Sequence, residues 1–218
     1  MKNIETILIV GVGGSGSMLI PALAPAFKLV LADNDTFEEK NFTRQFFANG
    51  NIGENKADVL ARQFSTASKD VHSHPKLIEG SEDWVEGVDL IIACVDTNQG
   101  RKACKKLSDT FMKPLIVAGN ENWDPQANLY LPEFEGTEAD PFTRLNLGDL
   151  EEGVRRTCTG EEIVSEIPQL PIANHAAGGF ALSIMYSLMS SKKKQNYLAE
   201  VAAQPRPFSK TIKQLITQ

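Results

Sequence analysis

The chain has only three cysteines in 218 residues, Cys94, Cys104 and Cys158. None forms a C-x-x-C pair, so neither a tetrathiolate zinc site nor a disulfide framework is indicated. A reducing, cytoplasmic setting is the expected one. Positive charge is also short: 22 Lys and Arg face 28 Asp and Glu, a net charge of -6. Non-specific nucleic-acid binding needs a basic surface and is disfavoured. No apolar run approaches the ~18 residues that span a bilayer. The longest candidate, Ala176–Met189, is broken by glycines and serines, so no membrane partner is expected. The first apolar run, Ile7–Val10, goes straight into a glycine turn and does not read as a signal peptide. Walker lysine, internal repeat and low-complexity tract are all missing.

Strand and helix patterns alternate through the first 130 or so residues. Thr6–Val10, Leu29–Ala32, Val71–Ile78, Val88–Val95 and Pro114–Ala118 read as strands, several of them apolar throughout, as buried parallel strands are. Ser15–Ala24, Asn55–Ser65 and Gln99–Thr110 carry helical spacing, the first shortened or distorted by Pro21 and Pro25. Ala127–Leu131 alternates and reads as antiparallel. The fold class is therefore α/β: a Rossmann-like doubly wound sheet, mostly parallel, with antiparallel strands in the second half. Three parts of one domain are expected. Residues 1–131 form a nucleotide-binding core, 132–170 an acidic loop or crossover, and 171–218 a closing helix and tail. The closing helix is expected over Ile172–Ser190, and a short one over Phe208–Thr217.

Gly11, Gly13 and Gly16 form G-x-G-x-x-G between the first strand and the first helix, with Gly14 keeping the turn small. These glycines permit a tight turn, close approach of a phosphate, and close packing of helix on strand. The helix N-terminus adds free N–H groups. Asp33 ends the second strand, where an acid that holds a ribose belongs, and it suits NAD or ATP equally.

The charged residues narrow the choice. Asp33 and Asp35 stand two apart at a strand tip, and Asp96 follows another buried strand. One acid can take ribose while another meets magnesium or its waters. Arg44 and Lys56 supply positive charge, which hydride transfer does not need and phosphate displacement does.

This ordered set resembles the superfamily of ubiquitin-activating enzymes and their bacterial relatives ThiF, MoeB and HesA. The family's acid-x-acid strand end matches Asp33-Asn34-Asp35. Its S-N-x-x-R-Q motif matches Asn41 to Gln45, its G-x-x-K matches Gly53 to Lys56, and its later aspartate and arginine match Asp96 and Arg101. The resemblance covers roughly residues 5–131, with Pro168–Met189 similar to the family's closing helix. It implies that Asp33 holds the ATP ribose, that Asn41, Arg44 and Lys56 hold phosphates, and that Asp96, with Asp35, positions magnesium. Adenylation of the C-terminal carboxylate of a small ubiquitin-like or sulfur-carrier protein is the implied reaction. A homodimer or heterodimer is the implied assembly.

Several features depart from the family pattern. Thr97 stands where asparagine is usual, zinc motifs are missing, and the chain is short and starts almost at its first strand. An N-terminal phosphate-binding arginine is therefore expected to be lacking, with Arg144, Arg155 or Arg156 as substitutes. Two alternatives stay open: an NAD-dependent oxidoreductase, and a non-catalytic nucleotide-binding partner subunit.

Cys158 sits in Arg155-Arg156-Thr157-Cys158, where the arginines favour thiolate, and relatives suggest a thioester or persulfide link there. Cys94 and Cys104 read as packing residues. His72 and His74 face one way on a strand but lack a third metal ligand, and His175 reads as structural.

Overall fold

The computed structural model describes residues 4–41, 45, 52–66, 70–121, 124–144 and 171–190. Its centre is β1, Thr6–Val10, whose five residues are hydrogen-bonded on both sides. On one side lie β2, Lys28–Ala32, and β3, Val71–His74. On the other lie β4, Leu90–Ala93, β5, Leu115–Glu121, and β6, Asp124–Tyr130. The sheet order is β3-β2-β1-β4-β5-β6, parallel except for β6, which runs antiparallel to β5. Strand order reverses between β1 and β4, and the crevice beyond the strand tips there is where such sheets bind ligands.

The period-two geometry of a strand sorts each one's side chains onto two faces. Ile7, Ile9, Leu29, Leu31, Leu90, Ile92, Ile116 and Ala118 enter one apolar cluster, under helices α1 (Gly14–Leu23), α2 (Lys56–Phe64) and α5 (Pro171–Ser190). Leu8, Val10, Ile91, Ala93, Leu115 and Val117 enter the other, under α3 (Asn98–Phe111). Both faces are covered, so these strands need continuous apolar runs. Helix α5 packs on β5, β6 and α1, and buries Ala177, Ala181, Ile184, Met185 and Leu188.

Most expected elements are present, with shifted ends. β3 stops at His74 instead of reaching Ile78, because Pro75 cannot donate to a ladder. β4 ends at Ala93, so Cys94 lies just past the strand rather than inside it, half-buried, with its N–H donated to Val10 O at 2.7 Å. Cys104 is buried as expected, and burial pushes its thiol up to about 12, so it acts as an apolar side chain. The stretch 132–170, expected as an acidic loop or crossover, contains a 3-10 turn, Pro132–Phe134, and a one-turn α4, Pro141–Arg144. Buried Asp140 ties the segment to the start of α4, accepting from Phe142 N, Gly136 N and the Thr143 hydroxyl. Residues 145–170, with Arg155, Arg156 and Cys158, lie outside the described residues, as does the expected Phe208–Thr217 helix. No helix among the described residues is long and apolar enough to cross a membrane.

The turn between β1 and α1 is the tightest point. Gly11 has φ +81°, a conformation side chains resist, and its carbonyl faces Gly16. A Cβ on Gly16 would stand 2.0 Å from Gly11 O, so helix and strand meet only without it. Gly16→Ala should therefore destabilise the fold by about 1–3 kcal/mol, the usual range for overpacking. Urea unfolding checks this: a midpoint equal to the parent's would contradict the close approach.

Candidate nucleotide site

The glycine turn and α1 build the floor of the site. Gly13 caps α1 without a side-chain hydrogen bond, leaving the first-turn N–H groups for a ligand. Asp33, one residue past β2, fixes this floor from the side. Its Oδ2 accepts from Val12 N at 2.8 Å, and its Oδ1 accepts from Asp35 N at 2.9 Å. Burial pushes the Asp33 carboxyl above its ordinary 3.8, opposed by these hydrogen bonds and by the charge of Lys56. Each oxygen keeps a further lone pair, enough to accept ribose hydroxyls.

Lys56, the first residue of α2, is nearly buried, and its Nζ lies 3.0 Å from Asp35 Oδ2. Asp35 itself is largely exposed. Its carboxylate is thus shared with a lysine, a closer tie than the metal role inferred from sequence. Asn55 holds both elements in place. It caps α2 by accepting from Asp58 N, and its Nδ2 donates to the carbonyls of Asp33 and Asp35. The sequence contained this signal, an asparagine just before a helical pattern, although the capping role was not assigned to it.

Asn41 is buried at the end of a 3-10 turn, Glu39–Asn41. Its Oδ1 accepts from Glu38 N at 2.9 Å, which leaves Nδ2 as its donor for a phosphate. Arg44 lies outside the described residues. Its neighbour Gln45 is described, and its Nε2 is 3.7 Å from where a Gly13 Cβ would stand.

Asp96 is exposed in the loop between β4 and α3, beside β1 at the sheet's switch point. Thr97 follows it as the cap of α3, accepting from Gly100 N at 3.1 Å. The residue that departs from the family's asparagine thus does a job asparagine also does, because both types cap helices. Arg101, five residues after Asp96, is buried and donates to Asn98 Oδ1. No group of three His, Cys, Asp or Glu side chains among the described residues could hold a metal by itself. A magnesium ion that takes most of its ligands from phosphate and water needs only one or two carboxylates.

The histidines stand apart from this chemistry. His72 pairs with Asp70, His74 packs on Trp84 with tilted rings whose centroids are 5.0 Å apart, and His175 Nδ1 lies 2.8 Å from Pro171 O within α5. Two residues that sequence reasoning missed border the turn from the other flank. Asn174 of α5 is fully buried, and Asn120 of β5 is half-buried. Ser15 Oγ lies 3.3 Å from Asn174 Oδ1 and 3.5 Å from Asn120 Oδ1. A contact spanning 159 positions leaves no local pattern to read.

The family model described as "ThiF family" matches residues 2–215. Ubiquitin-like modifier-activating enzyme 5 of Oryza sativa subsp. japonica is 30% identical over 131 residues, covering 50% of this chain and 31% of that protein. Adenylyltransferase and sulfurtransferase UBA4 of Yarrowia lipolytica is 33% identical over 132 residues, covering 58% of this chain and 33% of that protein. Among solved structures, E. coli MccB with ATP superimposes at TM-score 0.62 with 22% identity, over 86% of this chain and 56% of that one. PaaA superimposes at 0.61 with 19% identity, over 87% of this chain and 57% of that one. The chain thus spans about a third of the length of these curated relatives and little more than half of these structures, which share its fold.

The cap at Thr97 gives a direct check. Thr97→Ala should cost about 1 kcal/mol, and Thr97→Asn should largely restore it. Thermal unfolding measures both; equal losses in the two variants would contradict the capping role.

Proposed function

This chain belongs to the ThiF family, and from that premise we propose that it is an ATP-dependent adenylyltransferase. Its substrate is the C-terminal carboxylate of a small ubiquitin-like or sulfur-carrier protein. The observation that carries this reading is a nearly buried lysine, Lys56, beside the ribose-type acid Asp33 at an uncapped helix N-terminus. Hydride transfer has no use for that cation. Phosphate displacement does, because negative charge collects on the departing pyrophosphate. MccB, a protein of the same fold, has been solved with ATP, which is consistent with this choice of nucleotide.

In the reaction, a carboxylate oxygen bonds to the α-phosphorus of ATP. The bond from that phosphorus to the bridging oxygen breaks, and pyrophosphate leaves with the electron pair. Asp33 accepts from the ribose hydroxyls and sets the nucleotide's register. The first turn of α1 donates N–H groups to phosphate oxygens. Lys56, with Asn41 Nδ2 and Arg44, holds the phosphates that leave, and Asp35, 3.0 Å from its Nζ, keeps Lys56 aimed. Asp96 would hold magnesium, with Asp35 as a weaker second. Magnesium, when bound there, would neutralise phosphate charge. Cys158 is assigned the thioester or persulfide link to the carrier. The working unit is a homodimer or heterodimer, in the cytoplasm.

The test is ATP–pyrophosphate exchange, screened against ubiquitin-like proteins ending in Gly-Gly. Lys56→Ala and Asp96→Ala should each slow exchange by about 10²–10³, as the loss of one charge-stabilising contact does. Exchange at the parent rate in either variant would sink that residue's role. Thermal stabilisation by NADH and none by ATP with magnesium would favour an oxidoreductase instead.

A pH dependence follows from Asp33. The folded state holds its proton more tightly than a free carboxylate does, and only the ionised form accepts from both ribose hydroxyls. ATP affinity should therefore fall on acidification at a pH above 3.8, where an ordinary aspartate titrates. Titration calorimetry across the acid range reads it, and a fall centred at 3.8 or below would contradict the role of burial.

A further inference from the structure

The flank of the glycine turn away from Asp33 has its own donors. Asn174 is fully buried, and its Nδ2 stands 2.3 Å from where a Cβ on Gly14 would lie, directly over the first residue of α1. Asn120 approaches from β5. Both amide oxygens lie within 3.5 Å of the Ser15 hydroxyl, whose one proton serves one of them at a time. Neither amide nitrogen has a hydrogen-bond partner among the described residues. Buried N–H groups without acceptors are unfavourable and uncommon, so two of them beside an uncapped helix N-terminus mark a place for a ligand's oxygen.

We propose that Asn174 and Asn120 hold the acyl oxygen of the carboxylate being adenylated. This rests on the adenylation reading above. The sheet order separates the two halves of the reaction. Asp33, Asp35 and Lys56 sit by β2 on one side of β1, whereas Asn120 sits on β5, two strands to the other side. In-line displacement requires the nucleophile to enter opposite the leaving group. With pyrophosphate departing toward Lys56, the carboxylate enters from the Asn120 flank. One of its oxygens bonds to the α-phosphorus, and the other becomes the acyl C=O that accepts from the two amides.

Neutral donors suit that oxygen. The carboxylate loses its charge as the acyl-phosphate bond forms. A lysine or arginine there would stabilise the reacting anion more than the product-like transition state, and would slow the step. Gly14 completes the arrangement, since any side chain at that position would displace Asn174.

Three compounds test the assignment by direct binding: glycyl sulfamoyl adenosine, a stable mimic of a glycyl adenylate; sulfamoyl adenosine, which lacks the acyl group; and ATP. The parent protein should prefer the glycyl compound to sulfamoyl adenosine. Asn174→Ala and Asn120→Ala should each weaken the glycyl compound by about tenfold, with the other two ligands held within about twofold. Asn120→Ala is the safer variant, being only half-buried, and melting curves confirm that each variant is folded. No preference in the parent would overturn the assignment, and so would an equal loss of ATP in the folded variants. A parent that binds none of the three defeats the adenylation reading itself, and this inference with it.

Discussion

The approach of Gly16 to Gly11 is the constraint on which the rest of the site depends. Two backbones meet there at a distance no Cβ allows. That contact sets where α1 begins relative to the tip of β1. It thereby decides where the free N–H groups point and which neighbours can border them. Gly11 is pressed from a second side by the Cys94 carbonyl, so β4 is drawn into the same knot. Asp33 closes it from a third, by accepting from Val12 N. Strand tips from β1, β2 and β4 are thus tied to one turn, and their loops carry the acids. A ligand at α1 meets groups from all three because the turn is too small to let them drift apart.

Asp33 carries an energetic cost that the fold accepts. Its pKa is raised, so the folded protein binds that proton more strongly than the unfolded chain. Stability attributable to Asp33 is therefore greatest in acid and declines as pH rises through the raised pKa. At neutral pH the protein keeps a half-buried carboxylate ionised at some expense to folding. Nothing in the packing of the apolar clusters requires a charge there. A group that destabilises the fold while aligned on a helix N-terminus is a mark of a functional site. The charge of Lys56 beside it lowers the cost.

The strands were largely legible because buried parallel strands are written as unbroken apolar runs. Thr6–Val10 and Leu90–Ala93 are clear examples. The glycine turn and Asp33 were legible because each depends on its own few neighbours in sequence. Other features were not. The pairing of Lys56 with Asp35 joins positions 21 apart, and sequence spacing presents them as two separate tools. The loop around Asp140 folds through side-chain acceptance rather than periodic burial, so no repeat announces it. Asn174 is the extreme case. In sequence it is a polar interruption near the start of an apolar helix, and only the packing of α5 on α1 places it over Gly14.

The position of Asn174 also bears on how one chain can keep two reacting anions apart until they should meet. ATP and a carboxylate repel each other in water, and a single strongly cationic pocket would collect both on one side. Here the lysine and the neutral donors lie on opposite sides of β1. Lys56 lies by β2 with Asp35 as its counterion, and the flank by β5 offers amides and a hydroxyl. The helix N-terminus between them carries only partial charge, which suits a phosphorus that is attacked from one side and vacated on the other. Exchanging the two flanks would draw the carboxylate to the lysine and leave pyrophosphate among neutral donors. On the adenylation reading proposed above, the direction of the reaction would follow from the strand order, with β2 and β5 on opposite sides of β1.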